Sequence, residues 1–170
     1  NSRLSFAADT PIVFIDQGRN VAEWDKLAAF WNESTESVLD PRTGLPVTRR
    51  VIKIKVPLGL SSPPIPIENP PTLAKWVLGK RLFFDGVLSS DGTVSCSSCH
   101  APEKGFGDQL KVSRGIGGQL GGINAPSIIN CAFNARQFWD GRAMSLEDQA
   151  QGPVENAREF RSRNGVSGRS

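Results

Sequence analysis

Hydrophobic and polar positions follow two different periods in the first part of the chain. The apolar run Pro11–Ile15 predicts a short strand or an apolar segment laid across another surface. Over Val21 to about Leu39 apolar residues recur at steps of three and four, which predicts a helix with one apolar face. These residues are Trp24, Leu27, Ala28 and Trp31. Between Arg50 and Val56 apolar residues alternate with lysines, which predicts a half-buried strand.

Turn-forming residues separate these elements from the rest of the chain. Asp40–Gly44 has the composition of a tight turn. Five prolines between positions 63 and 71 predict a stiff, extended connector. We therefore divide the chain into an N-terminal extension with its connector (1–69), a second domain (70–160) and a polar tail (161–170).

The second domain is predicted to contain two helices joined through a long loop. Thr72 can cap a helix that runs to Phe84, and Ser145 can cap another whose first turn is acidic. Between them, Ala101–Gly122 contains seven glycines and shows little periodicity. Loops of this length are usually functional or disordered. We expect this loop to wrap around a bound group, because glycine lets the backbone approach closely.

A Cys-x-x-Cys-His pentapeptide precedes this loop. At that spacing Cys96 and Cys99 can form thioethers with a haem while His100 ligates its iron. A disulfide redox pair and half of a zinc site are the alternatives, but the chain has no second Cys/His pair and thiol exchange does not need the adjacent histidine. The pattern therefore predicts one covalent haem c. Cys131, the remaining cysteine, is typical of a small buried hydrophobe.

Composition narrows the classes of partner. The 20 lysines and arginines exceed the 17 acidic residues by only three and are scattered, which argues against nucleic-acid binding. No apolar run reaches membrane-spanning length, and the first residues lack the pattern of a signal peptide. Because thioether attachment of haem normally takes place outside the cytoplasm, we expect an exported, periplasmic protein whose signal peptide has been removed.

Six short motifs occur in the order of a known family. They are LGKRLFFD at 78–85, CSSCH at 96–100, NAPS at 124–127, FWDGRA at 138–143, LEDQA at 146–150 and GPVEN at 152–156. Over roughly Pro70 to Phe160 the chain resembles the N-terminal haem domain of the bacterial di-haem cytochrome c peroxidases, which are related to the methylamine dehydrogenase maturation enzyme. The resemblance implies a mainly α, cytochrome c-like fold. The N-terminal extension would add a helix and a short strand.

The resemblance also implies roles for five side chains. Glu159 matches the distal acid-base carboxylate, and Gln149 and Pro153 match other positions of the distal pocket. Trp139 matches the tryptophan between the two haems on the electron route. Asn124 matches a ligand of a calcium ion whose other ligands come from the second domain and water.

The chemistry of peroxide reduction fits a carboxylate of this kind. Peroxide needs an open iron position and a group that takes its first proton and returns it to the leaving oxygen. One partly desolvated carboxylate can do both, and such a group contributes about 10² to 10⁴ in rate. From the residues alone Glu159 fits a surface glutamate better, and only the motif alignment assigns it this role.

The single histidine and the single methionine lead to two functional hypotheses. His100 is the only histidine, and Gly115–Gly122 lacks the histidine that many family members carry there, which implies a permanently open haem that reduces hydrogen peroxide. Met144, which lies 44 residues after His100, supports the alternative. With His/Met coordination the chain would be a mono-haem electron-transfer subunit with little or no peroxidase activity.

A complete di-haem peroxidase carries a second Cys-x-x-Cys-His motif, which this sequence lacks. The chain is then a fragment, one part of a split enzyme or a single-haem descendant. Electrons would come from a donor protein or from a second haem domain in trans. We expect an oligomer or hetero-complex, because the face near Trp139 would otherwise expose apolar surface.

Overall fold

The computed structural model describes residues 10–18, 21–40 and 43–160. The chain forms two compact units that divide between Leu78 and Gly79, a few residues after the proline-rich connector. The tail predicted over 161–170 lies outside the described residues, as do positions 41 and 42 of the predicted turn.

The first unit is built on a three-stranded sheet with the order β1-β3-β2. Strand β1 (Ile12–Ile15) pairs in parallel with β3 (Pro46–Lys55), and β2 (Asn32–Leu39) pairs antiparallel with β3. Helix α1 (Val21–Lys26) connects β1 to β2. The predicted strands at Pro11–Ile15 and Arg50–Val56 are therefore confirmed, although β3 begins four residues earlier.

The helix predicted over Val21–Leu39 is wrong beyond Lys26, because Asn32–Leu39 is strand β2. Its residues include asparagine, serine and threonine, whose side chains compete with helical hydrogen bonds, and burial alternates along the segment. The antiparallel partner then satisfies the backbone. Asn32 lies opposite Lys53 and Leu39 opposite Pro46, with the Asp40 amide donating to the Leu45 carbonyl across the turn at 2.9 Å.

The core of the first unit contains a charged side chain that the alternating pattern did not predict. Val51, Ile52 and Val56 are fully buried, and the Trp24 indole donates to the Val56 carbonyl at 3.0 Å. Lys53, expected on the exposed face of a half-buried strand, is only 6% exposed. It forms ion pairs with Glu23 of α1 and Glu36 of β2. The hydrogen bonds that Lys53 donates to these carboxylates raise its pKa against the opposing effect of burial.

Three helices follow the connector: α2 (Leu73–Phe84), α3 (Cys96–Cys99) and α4 (Leu146–Glu155). Both predicted caps are confirmed. The Lys75 amide donates to Thr72 Oγ1 at 3.4 Å, and the Asp148 amide donates to Ser145 Oγ at 3.1 Å. Among the described residues after Lys55 there are helices, single 3₁₀ turns and isolated bridges but no strand. The mainly α prediction is therefore confirmed only in part, since the N-terminal unit is a sheet with one short helix.

A small apolar cluster lies in the second unit. Val94, Ile116 and Phe160 are buried together, and Leu88 and Cys96 pack against them. Three distant parts of the sequence meet here: the turn before α3, the glycine-rich loop and the segment after α4. The cluster therefore holds these parts around the Cys-x-x-Cys-His motif.

Candidate functional site

The Cys-x-x-Cys-His motif forms one helical turn. The Ser95 amide donates to Ser98 Oγ at 3.0 Å, which caps the start of α3, and the His100 amide donates to the Cys96 carbonyl at 3.0 Å. Residues three apart in a helix lie on neighbouring positions of its surface. Both cysteines are free, half-buried thiols, so one turn presents two thiols and an imidazole together.

Burial raises the pKa of both thiols. For Cys99 a hydrogen bond with the Ser113 side chain opposes that effect, while the charges of Asp108 and Glu159 add to it. For Cys96 burial is also the largest cause. A disulfide redox pair needs a thiol whose pKa is lowered by its surroundings. The electrostatics of this turn therefore disfavour the redox alternative and suit neutral thiols.

The imidazole of His100 is oriented by the glycine-rich loop. Its Nδ1 lies 3.1 Å from the Phe106 carbonyl oxygen. A carbonyl can only accept, so Nδ1 carries the proton and Nε2 is the nitrogen with a free lone pair. Phe106 has a φ of +58°, and its own amide donates to the Ala101 carbonyl at 2.9 Å. This orientation suits a metal-ligating histidine, whose other ring nitrogen usually donates to a carbonyl or carboxylate.

A buried carboxylate organises the loop beside Cys99. Asp108 is 3% exposed, accepts from Ser113 Oγ at 2.6 Å and accepts from the Leu110 amide at 3.0 Å. The Cys99 thiol lies 3.9 Å from the Arg114 carbonyl oxygen. As predicted, the loop has little secondary structure: single 3₁₀ turns at Pro102–Lys104 and Ile116–Gly118 and the isolated bridges Ala101–Gly107 and Arg114–Leu120.

The structure brings Glu159 towards this motif from the far end of the sequence. Glu159 is half-buried after α4, and Asn156 Nδ2 donates to its Oε1 at 2.8 Å. Burial raises the pKa of the carboxyl, while the charge of Arg142 and the hydrogen bond that Asn156 donates lower it. The charge of Glu159 in turn raises the pKa of Cys99. The carboxylate is thus electrostatically coupled to Cys99 of the motif.

Gln149 and Pro153 lie four residues apart on α4, and both are half-buried. Residues at this spacing share one helix face. Proline has no backbone N–H, so Pro153 cannot donate the helical hydrogen bond to the Gln149 carbonyl. Between them, Gly152 leaves room for the Phe138 ring, whose Cζ would lie 2.9 Å from a Cβ at that position.

Trp139 and Asn124 are neighbours. The indole nitrogen of Trp139 donates to the Asn124 backbone carbonyl at 3.2 Å, and the tryptophan is 61% exposed. Within the described ranges, no group of three or more His, Cys, Asp or Glu side chains could hold a metal ion. The calcium role of Asn124 stays a prediction.

Arg142 and the Phe106 carbonyl are site groups that sequence reasoning missed. Arg142 stacks on the Phe138 ring at 3.6 Å and bonds both Asp140 oxygens, at 3.0 and 2.9 Å. The position of Arg142 in the FWDGRA motif could have identified it from the sequence. The Phe106 carbonyl could not have been identified in this way, because backbone groups are the same at every position.

Known proteins are similar to the part of the chain that contains the Cys-x-x-Cys-His motif. A family model described as di-haem cytochrome c peroxidase matches residues 73–167, more than half of the chain. The cytochrome c peroxidase Ccp of Escherichia coli (strain K12) is 49% identical over 100 residues, which are 59% of this chain and 22% of that protein. The methylamine utilization protein MauG of Methylorubrum extorquens is 45% identical over 93 residues, 55% of this chain and 26% of that protein.

A solved structure supports the same assignment. The crystal structure of a MauG-like protein associated with microbial copper homeostasis matches with a TM-score of 0.57 and 39% identity, over 60% of this chain and 29% of that one. The chain spans about a quarter of the length of the curated relatives it matches. Among the described residues, no helix has the length and apolar character needed to cross a membrane. The matched residues, with the Cys-x-x-Cys-His turn among them, show that this chain belongs to the di-haem cytochrome c peroxidase family.

Proposed function

We propose that residues 70–160 form a peroxide-reducing haem c domain. Cys96 and Cys99 attach the haem through thioethers and His100 ligates the iron. The observation that carries this proposal is the 3.1 Å hydrogen bond between His100 Nδ1 and the Phe106 carbonyl, since it leaves Nε2 free within a Cys-x-x-Cys-His turn. Burial raises the pKa of both thiols, which favours the thiol form that adds to the haem vinyl groups.

The chemistry that a haem supplies when bound is the two-electron reduction of hydrogen peroxide, in which two electrons and two protons yield two waters. The protein has to move a proton between the two peroxide oxygens. Glu159 is proposed to accept the first proton and to return it to the leaving hydroxyl. Burial raises the pKa of its carboxyl, and a general base works best when its pKa approaches the working pH.

The remaining predicted residues are proposed to shape the pocket and the electron path. Gln149 and Pro153 present one face of α4, which supports a shared place in the distal pocket. Trp139 is exposed and bonded to Asn124, so it can meet an electron-supplying partner. Asn124 would complete a calcium site only with ligands from a second domain and water.

The proposal extends to partners and location. A donor protein or a second haem domain in trans supplies the electrons, and the exposed face at Trp139 favours an oligomer or hetero-complex. Because thioether attachment of haem normally takes place outside the cytoplasm, the protein is proposed to act in the periplasm. Residues 1–69 are proposed to be a separate N-terminal extension.

The alternative is a mono-haem electron-transfer subunit with Met144 as second axial ligand. In the structure Met144 is 63% exposed, and Arg136 Nη1 lies 2.7 Å from its sulfur as a hydrogen-bond donor. That geometry favours the peroxidase hypothesis. An optical spectrum distinguishes the two hypotheses. High-spin ferric bands that shift with cyanide support the peroxidase, whereas a low-spin spectrum with the weak far-red methionine band supports the electron-transfer subunit.

The decisive experiment compares two glutamates near the end of the domain. We expect the haem-loaded full chain with Glu159→Gln to keep its attached haem and to react with hydrogen peroxide about 10² to 10⁴ times more slowly. Glu155→Gln is the matched control, because Glu155 is an exposed glutamate at the end of α4. Equal rates for the two variants would contradict the proposal.

A further inference from the structure

The backbone at Gly115 is in van der Waals contact with the backbone that carries Glu159. A Cβ at position 115 would overlap the Arg158 carbonyl oxygen and would lie 2.7 Å from Glu159 Cα and 2.8 Å from the Arg158 carbonyl carbon. All three atoms belong to the main chain, so no side-chain rotation can relieve the overlap. Position 115 therefore requires glycine for a steric reason alone.

The backbone conformation of Gly115 would not strain another residue at this position. Its φ of −103° and ψ of −158° are extended backbone that any residue adopts. This separates Gly115 from Gly117 and Gly118 in the same loop, whose φ values are +58° and +73°. Substitution at position 115 thus tests the close approach itself and not the flexibility of glycine.

Neighbouring contacts hold the two segments together at this point. The Ile116 amide donates to the Glu159 carbonyl at 3.2 Å, and the Ser90 amide donates to the Phe160 carbonyl at 2.8 Å. Ile116 and Phe160 are buried in the cluster against which Cys96 packs. The position of Glu159 relative to the cysteine turn is therefore determined by how closely the loop and the segment after α4 can approach.

We propose that Gly115 is a positioning residue that places the carboxylate of Glu159 for proton transfer at the haem held by Cys96, Cys99 and His100. This inference rests on the proposed role of Glu159. A methyl group at position 115 must push residues 158–160 away by a distance on the order of 1 Å, and a displacement of that size can lower a catalytic rate by about 10²-fold.

The test compares Gly115→Ala with Gly79→Ala in the haem-loaded full chain. Gly79 is exposed on α2, outside the glycine-rich loop, and a Cβ there would meet nothing within 4 Å. We expect Gly115→Ala to lower kcat for hydrogen peroxide about 10- to 100-fold. The Gly79→Ala variant should stay close to the parent rate. Equal rates for the two variants would overturn the inference.

A double-mutant cycle shows whether Gly115 acts through Glu159. In a Glu159→Gln background, adding Gly115→Ala should change kcat by less than about twofold, because the group that it displaces no longer transfers a proton. If Gly115→Ala lowers kcat in that background as much as it does in the parent chain, Gly115 has a general structural role and the inference fails. If Glu159→Gln itself has no effect, the proposed function fails instead, so the two failures are distinguishable.

A measurement independent of turnover follows the same contact. Amide hydrogen exchange at Ile116, whose N–H is bonded to the Glu159 carbonyl, should be faster in Gly115→Ala and unchanged in Gly79→Ala. If Gly115→Ala does not fold, Phe160→Leu loosens the same attachment without filling space. It should then lower kcat with the attached haem retained, and an unchanged kcat in Phe160→Leu would count against the inference.

Discussion

His100 Nδ1 and the Phe106 carbonyl oxygen lie 3.1 Å apart, across a turn in which Phe106 adopts a φ of +58°. This pairing selects the ring nitrogen that is free to bind a metal, and it depends on backbone that few residues adopt readily. Two substitutions at position 106 can therefore separate the backbone requirement from the side chain.

We expect Phe106→Pro to disturb the orientation of His100. Proline fixes φ near −65° and removes the amide that donates to the Ala101 carbonyl, so the position of the carbonyl is lost. Phe106→Asn is the control, because asparagine tolerates positive φ and keeps both backbone groups. The yield of attached haem and its reduction potential should change markedly in the proline variant and much less in the asparagine variant. If haem yield and reduction potential changed equally in both variants, the Phe106 ring and not its carbonyl would be the group that the site requires.

The raised pKa of Glu159 predicts a pH-dependent stability. The folded chain holds this proton more tightly than the unfolded chain, so the stabilisation is present below the unfolded pKa and is lost as pH rises through the folded pKa. Glu159→Gln lacks this titration. Its midpoint of urea unfolding should match the parent at acid pH and exceed it increasingly towards neutral pH. A constant difference at all pH values would contradict the burial argument.

Arg142 should set the acid side of the pH–rate profile. Its positive charge lowers the pKa of Glu159, so Arg142→Gln should raise that pKa and move the rise in peroxide rate to higher pH. Arg158→Gln is the control, since Arg158 is exposed and adjacent in sequence to Glu159. A shift of equal size in both variants would mean that any nearby positive charge has this effect.

The ion pairs of Lys53 should stabilise the N-terminal unit. Lys53→Ala leaves Glu23 and Glu36 without this cation, and each of these side chains is 35% exposed. We expect a loss of about 1–3 kcal/mol in unfolding free energy, less than for a fully buried pair. Lys26→Ala, at the exposed end of α1, should change it by less than about 0.5 kcal/mol. Since the pKa of Lys53 is raised, its contribution should disappear as pH rises through that pKa.

The sequence by itself determined the features that depend on neighbouring residues. The spacing of Cys96, Cys99 and His100 identified the candidate haem site, and Thr72 and Ser145 marked the starts of two helices, because caps act within one turn. The six motifs also identified the family, which the match of residues 73–167 to the family model supports.

Tertiary structure decided whatever depends on residues far apart in the chain. Asn32–Leu39 became a strand because β3 supplied its hydrogen-bond partners, and Lys53 became buried because two glutamates from other elements met it. The segment that carries Glu159 meets the glycine-rich loop where Gly115 closely approaches Arg158, a contact between residues 43 positions apart. Periodicity describes one segment at a time, so it could not determine which segments would share a core or which carboxylate would be electrostatically coupled to Cys99.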